Sequence, residues 1–405
     1  MTLIQNQHPQ HNTGLDAADA DTLSIAAAHQ VEAFLARRAN HEPTPLHRLS
    51  GLAAELGVGE ILIKDEGRRL GLGSFKALGG SYAVLRLVLE AASQRLGRPV
   101  GIDDLATADV HETAARMTVA CATDGNHGRS VAQGAQLAGA NAVIFVHAGV
   151  SGERVAAIAR YGAQIVRVDG NYDDSVTEAS RVCAERGWLV VSDTSWPGYE
   201  RIPGLVMQGY TAIISEALRQ MREAPTHLFI QAGVGGVAAA LAGHLAVILD
   251  EQRPTVVVVE PDRAACVYET ARAGHLVKIA PGEPTVMAML ECYEPSLIAW
   301  RILSRVADAF MTVAESDAVD VMRRLAQPAA GDPAIVAGES GGVGLAGLIR
   351  AARDNDARAT IGLSATSRIF VVNTEGATDR ELYARLTGVT PDRVGSGAGE
   401  PEPFG

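Results

Sequence analysis

Between about residues 115 and 195 the chain repeats one pattern: a short Val- and Ile-rich run, a stretch with apolar residues at helical spacing, then another short run. The runs are "RMTVACAT", "NAVIFVHA", "AQIVRVDG" and "WLVVSD". Between them lie "GNHGRSVAQGAQLAG", "SGERVAAIARYG" and "YDDSVTEASRVCAERG". Strands apolar on both faces and alternating with helices form a parallel sheet covered on both sides. A second series, "THLFIQAG", "VGGVAAALAGHLAVIL" and "TVVVVEP", begins later, and "RIFVVNTEG" closes the chain as a last strand. The expected fold is α/β with two lobes, each an open, twisted, mostly parallel sheet. Upstream, residues 1 to about 20 are polar and expected to fray, and Asp21 to Ala36 reads as helix. "HEPTPLHRL" is an extended entry restricted by Pro43 and Pro45, and "GEILIKDE" reads as a buried strand.

Composition narrows the partners. With 47% hydrophobic residues in 405, there is enough apolar material for two such lobes. Lys plus Arg number 35 against 47 Asp plus Glu, a net charge of −12, so no nucleic-acid partner is expected. Cys121, Cys183, Cys266 and Cys292 form neither a disulfide framework nor a CxxC metal spacing, and no metal site is expected. The first twenty residues lack a basic start followed by an apolar run, and the longest apolar stretches contain Gly and His. A cytoplasmic chain without a membrane segment is therefore expected.

Glycine is abundant, at 42 residues, and gathers where strands end and helices begin. Three loops stand out: "GLGSFKALGG" at 71–80, "TDGNHG" at 123–128 and "AGVGGVA" at 232–238. Such places present unpaired N–H groups and the positive end of a helix to an anion. In the third loop no Lys or Arg lies between Arg222 and Arg253, so an anion there would be met mainly by backbone amides. The same loop, Gly233-x-Gly235-x-x-Ala238 with Glu260 at the end of the next strand, also fits a dinucleotide fingerprint. On its own it would suit a nicotinamide (NAD(P)) oxidoreductase. Lys76 stands between glycine turns beside Phe75, Ala77 and Leu78, with no acidic residue between Glu66 and Glu90. Apolar surroundings favour the neutral, nucleophilic amine that forms Schiff bases with carbonyl compounds. A reactive lysine and a phosphate-ready loop together are the two halves of a pyridoxal 5'-phosphate site.

Eight stretches carry a resemblance: "PTPLHRL", "IKDEGRRLGLGSFKALGGSYA", "TVACATDGNHGRSVA", "NYDDSV", "DTSWPGYERIPGLVMQGY", "AGVGGVA", "GESGGVGL" and "VVNTEGATD". Through them the chain resembles the fold-type II pyridoxal-phosphate enzymes, the group of tryptophan synthase β, threonine dehydratase and serine racemase. Within that group it is most similar to the diaminopropionate ammonia-lyases. The resemblance implies that Lys76 binds the cofactor covalently and that Asn126 lies beside its ring hydroxyl. It implies that Gly233, Val234, Gly235 and Gly236 hold the phosphate and that Thr374 meets the pyridine nitrogen. It marks Asp124 and Asp193 as the acidic residues of the lyase, and Ser74, Thr123 and Tyr172 as substrate-binding candidates. Lys76 would then take the Cα proton of the L-isomer and Asp124 that of the D-isomer. Two carboxylates also make chemical sense, because a leaving ammonium is cationic whereas a serine hydroxyl is not. A helix cap is the lesser alternative for Asp124, and a cap or strand end for Asp193, while His127 fits a residue that packs at a helix start and shapes its loop.

The resemblance further implies a large cofactor-binding domain, 1–86 and 193–405, a small mobile α/β domain, 87–192, and a homodimer. It places Cys266 and Cys292 near each other at a cleft mouth. Elimination of ammonia from 2,3-diaminopropionate is the expected reaction. A serine or threonine dehydratase on the same scaffold is the nearest alternative and the oxidoreductase the next.

Overall fold

The computed structural model describes residues 1–39, 41–123, 125–170, 172–329 and 331–395. Its strands are β1 (Thr2–Gln5), β2 (Leu46–Arg48), β3 (Glu60–Asp65), β4 (Thr118–Ala122), β5 (Asn141–His147), β6 (Gln164–Val168), β7 (Leu189–Val190), β8 (His227–Gln231), β9 (Thr255–Pro261), β10 (Ala309–Val313) and β11 (Arg368–Asn373). The helices that bear on function are α1 (Lys76–Leu96), α2 (Asn126–Ala138), α3 (Tyr172–Arg186), α4 (Arg201–Gln220), α5 (Gly236–Leu249), α6 (Cys266–Ala273) and α7 (Val343–Ala352). Two compact units result. One comprises Asp21–Glu42 and Phe75–Ala212, the other Met1–Ala20, Pro43–Ser74 and Ile213–Gly405.

The first unit holds a four-stranded sheet in the order β6-β5-β4-β7, parallel throughout. From β4 the chain winds outward through β5 to β6, then returns to place β7 on the other side of β4. That reversal is a topological switch point, and ligands of open α/β sheets bind at the carboxyl ends of strands there. Thr123 follows β4 at that end, and "SDTSW" follows β7. The unit is wider than the 87–192 segment expected from sequence. Glycines draw its helices together at backbone distance: a Cβ on Gly134 would come within 2.6 Å of Ser81 Cα, and one on Gly80 within 2.8 Å of Ser130 Oγ. Ser130 Oγ also accepts the Ser81 N–H at 2.9 Å, so α1 packs on α2 and belongs with it. The start of α4 joins in the same way. A Cβ on Gly79 would meet Tyr210 Cε1 at 2.6 Å and Val206 O at 2.7 Å. Gly79→Ala is therefore expected to destabilise by about 1–3 kcal/mol through overpacking, read as a lower denaturant midpoint with unchanged slope.

The second unit holds a seven-stranded sheet, β1-β10-β9-β8-β11-β3-β2. The five central strands are parallel, whereas β1 and β2 close the two edges antiparallel. The winding reverses beside β8, which lies between β9 and β11, so this unit has its own switch point at the carboxyl ends of β8 and β11. The core is formed by Phe229, Val257, Val259, Met311, Ile369 and Val371, all buried. The expectation that the N-terminus frays is corrected here. Thr2–Gln5 pairs with β10, Ile4 opposite Phe310, and the Asn6 amide donates to the carbonyls of Ser304 at 2.9 Å and Ala307 at 2.7 Å. A sheet edge left unpaired is a liability, and a short polar-flanked strand covers it. Among the described residues no helix is long and apolar enough to cross a membrane.

Candidate active site

In the first unit Lys76 is the first residue of α1, and its ammonium donates to Asp193 Oδ2 at 2.7 Å. The partner comes from beyond β7, 117 residues away. The carboxylate-free setting suggested by the neighbours of Lys76 in sequence is thus not what the fold supplies. Burial alone would raise the Asp193 carboxyl, but the Lys76 ammonium beside it holds it below the ordinary carboxylate range. The loop bearing Asp193 is fixed by Tyr199. Its hydroxyl donates to Val190 O at 2.7 Å and accepts from Ser192 N at 3.1 Å, and its ring stacks on Trp196 at 4.2 Å. His127 is buried, with Nε2 on the Val191 carbonyl at 2.8 Å and Nδ1 3.9 Å from Asp193 Oδ2. Burial pushes the pKa values of the Cys121 thiol and the Tyr199 and Tyr210 hydroxyls up, so these neighbours are neutral.

Asn126 begins α2 and is buried. Thr123 Oγ1 accepts the N–H groups of Gly125 at 3.1 Å and Gly128 at 3.2 Å, which shapes the turn into α2. Asp124 lies outside the described residues. Tyr172 opens α3, and its side chain also lies outside them.

The second unit carries the glycine loop and Thr374. Gly235 has φ +94°, a conformation that favours glycine, and a Cβ on Gly233 would come within 2.9 Å of Cys292 Sγ. Among the described residues no hydrogen bond leaves the N–H groups of Gly233, Val234 and Gly235, and they precede the 14-residue helix α5. Thr374, at the end of β11, is buried, and its Oγ1 accepts from Gln231 Nε2 at 2.8 Å. That bond leaves the Thr374 O–H free to donate. Gln231 is in turn fixed by donating to Gly341 O at 2.6 Å and accepting from Gly344 N at 3.1 Å, where α7 begins. Ser74 is buried and forms an isolated bridge with Glu375.

Sequence reasoning missed Gln231 and Tyr199. A buried amide closing an otherwise apolar strand was the available signal for the first; nothing local marked the second. The dinucleotide reading of the glycine loop fails on Glu260. Its two carboxyl oxygens accept Val267 N at 2.9 Å and Tyr268 N at 2.6 Å at the start of α6, and burial pushes its carboxyl up to about 8. A carboxyl group so committed is withdrawn from a ribose hydroxyl. Cys266 and Cys292 are neighbours, joined through an Ala265–Cys292 backbone bridge, and neither is in a disulfide.

Each unit by itself carries donors suited to part of one cofactor: in the first, a primary amine for an aldehyde; in the second, amides without a hydrogen-bond partner among the described residues for a phosphate and a hydroxyl donor for an unprotonated pyridine nitrogen. A family model described as pyridoxal-phosphate dependent enzyme matches residues 38–374. The chain belongs to the pyridoxal-phosphate dependent enzymes. Among relatives of this pyridoxal-phosphate enzyme, the diaminopropionate ammonia-lyase of Escherichia coli K12 is 40% identical over 369 residues, 88% of this chain and 91% of the relative. That of Salmonella typhimurium LT2 is 37% identical over 391 residues, 94% and 96% of the two chains. The crystal structure of the E. coli lyase in complex with an aminoacrylate–PLP azomethine reaction intermediate superposes with a TM-score of 0.85 at 37% identity, covering 95% of this chain and 96% of that one.

Proposed function

We propose that this pyridoxal-phosphate enzyme eliminates ammonia from 2,3-diaminopropionate, and that addition of water then yields pyruvate and a second ammonia. The observation that carries the reading is the ammonium-binding carboxylate of Asp193, held ionised beside Lys76. The similarity to lyases named for this substrate supports it. Lys76 would hold the cofactor covalently, the amides of Gly233–Gly236 its phosphate, and Thr374 its pyridine nitrogen, with Asn126 beside the ring hydroxyl. Bound pyridoxal phosphate supplies the electron sink that makes the substrate Cα–H acidic.

The residues of the chain do the rest. The Thr374 hydroxyl, oriented by Gln231, would donate to the cofactor's ring nitrogen without protonating it, and a moderate electron sink of that kind suits elimination. Asp193 stabilises the Cβ amine as ammonium, so it departs as neutral ammonia. Lys76, once released as a free amine, takes the Cα proton of the L-isomer, and Asp124 takes that of the D-isomer. Ser74, Thr123 and Tyr172 are proposed to contact the substrate. The test is pyruvate release from each isomer and from serine. Asp124→Asn should lose about 10²- to 10⁴-fold on the D-isomer with cofactor still bound, and far less on the L-isomer. Equal losses would instead assign Asp124 a shared role in holding the ammonium. A dehydratase would show serine turnover at least matching that of diaminopropionate. We also propose a cytoplasmic homodimer with a solution mass near twice 42.4 kDa. A monomeric mass with full activity would remove that claim.

A further inference from the structure

His127 is a buried group beside Asp193 whose Nδ1 the reaction above leaves unused. Its Nε2 lies 2.8 Å from the Val191 carbonyl, an acceptor only, so Nε2 carries the proton and the neutral ring has its lone pair on Nδ1. Nδ1 is shielded from solvent and has no hydrogen-bond partner among the described residues. It faces Asp193 Oδ2 at 3.9 Å, the same oxygen that the Lys76 ammonium contacts at 2.7 Å. Two acceptors turned toward each other, with an ammonium on one of them, mark a place built for a cation with several N–H groups. A buried acceptor left unmade is costly, so such an arrangement calls for a donor.

We propose that His127 is a specificity-determining residue: its Nδ1 and Asp193 Oδ2 together hold the ammonium carried on the substrate's Cβ, which then departs as neutral ammonia. The inference rests on the elimination reading given above. In the free enzyme the Lys76 ammonium stands in for that group. When Lys76 is covalently engaged its charge no longer neutralises Asp193, and the surrounding Cys121, Tyr199 and Tyr210 add neither positive nor negative charge. An incoming ammonium restores the balance and has hydrogens for both acceptors. A serine hydroxyl has one hydrogen and no charge. It satisfies either Asp193 or His127 and leaves the other unmade, so the pair discriminates between substrates that differ only in this group. Burial keeps the His127 imidazole below its ordinary range, which preserves the Nδ1 acceptor at neutral pH.

Two substitutions of the holoenzyme separate the two ring nitrogens. His127→Gln can keep an amide N–H toward Val191 while deleting Nδ1. His127→Asn can place a carbonyl oxygen where Nδ1 stood. The measured quantity is kcat/KM for diaminopropionate divided by that for serine. His127→Gln is expected to lower this ratio about 10- to 100-fold, the worth of one hydrogen bond to a charged group, with His127→Asn restoring most of it. Equal losses on both substrates, or an unchanged ratio, would overturn the proposal. Should the variants fail to fold, ¹⁵N-histidine NMR of the wild-type holoenzyme still decides: a bare Nδ1 at neutral pH is required, and a protonated one overturns the role. Absence of diaminopropionate turnover in the wild type would instead refute the elimination reading itself.

Discussion

Lys76→Ala is expected to abolish turnover and to remove the borohydride-reducible absorbance of the bound cofactor, while the protein stays folded. The chain contains three lysines, Lys64, Lys76 and Lys278, against 35 Lys and Arg in all. Lys64 is fully buried and committed to Glu216 at 2.8 Å and to the Thr44 carbonyl at 2.7 Å. Lys278 is two-thirds exposed and pairs with Glu294. No other amine can replace the one at the start of α1. Loss of a general base alone costs about 10²- to 10⁴-fold, and loss of the covalent anchor adds to that. A Lys76→Ala protein that retained the reducible adduct at this site would contradict the assignment. Asp193 would lose its counter-charge in the same variant. A small added amine should therefore restore some activity, its neutral form acting as base and its ammonium form facing Asp193.

The parts of this fold that are written locally were legible. Val- and Ile-rich runs alternating with helical stretches specify covered parallel strands, and both sheets form as read. What the local pattern does not encode is strand order. Order alone brings Asp193 to Lys76, 117 residues away, and Gln231 to Thr374, 143 residues away. The same limit explains why Lys76 looked free of carboxylates and why Glu260 looked like a ribose ligand. The first acquires a partner across the sheet, and the second is taken by the helix that follows its own strand. Edge strands escaped for a different reason. Thr2–Gln5 is too short to show a period, and its pairing with β10 depends on a neighbour more than 300 residues on. The glycines mixed two signals. Those at 233–236 shape a loop, whereas Gly79, Gly80 and Gly134 allow helices to meet, and only three-dimensional contacts tell them apart.

Glu216→Gln is expected to destabilise the protein by about 3–5 kcal/mol, the cost of removing one partner from a buried ion pair. Four charged side chains, Lys64, Glu66, Arg69 and Glu216, are buried together in the second unit. Arg69 donates to both oxygens of Glu216, at 2.8 and 2.7 Å, and through Nε to Glu66 at 2.7 Å, while Lys64 reaches Glu216 Oε2 at 2.8 Å. The set is neutral as it stands. A glutamine of the same shape leaves one positive charge uncompensated and turns an N–H group toward a donor. Arg69 lies in the 66–71 segment between β3 and Ser74, so the cluster also anchors the chain as it approaches Lys76. Burial alone would raise the Glu216 carboxyl, but Arg69 and Lys64 hold it below the ordinary range. Its contribution to stability is therefore full above the unfolded carboxylate pKa and is lost as pH falls through the lower folded value. Denaturation midpoints measured against pH should show wild type losing stability on the acid side, with Glu216→Gln weaker at neutral pH and flatter through that range. A loss below about 1 kcal/mol at neutral pH would mean that water reaches the cluster and screens it.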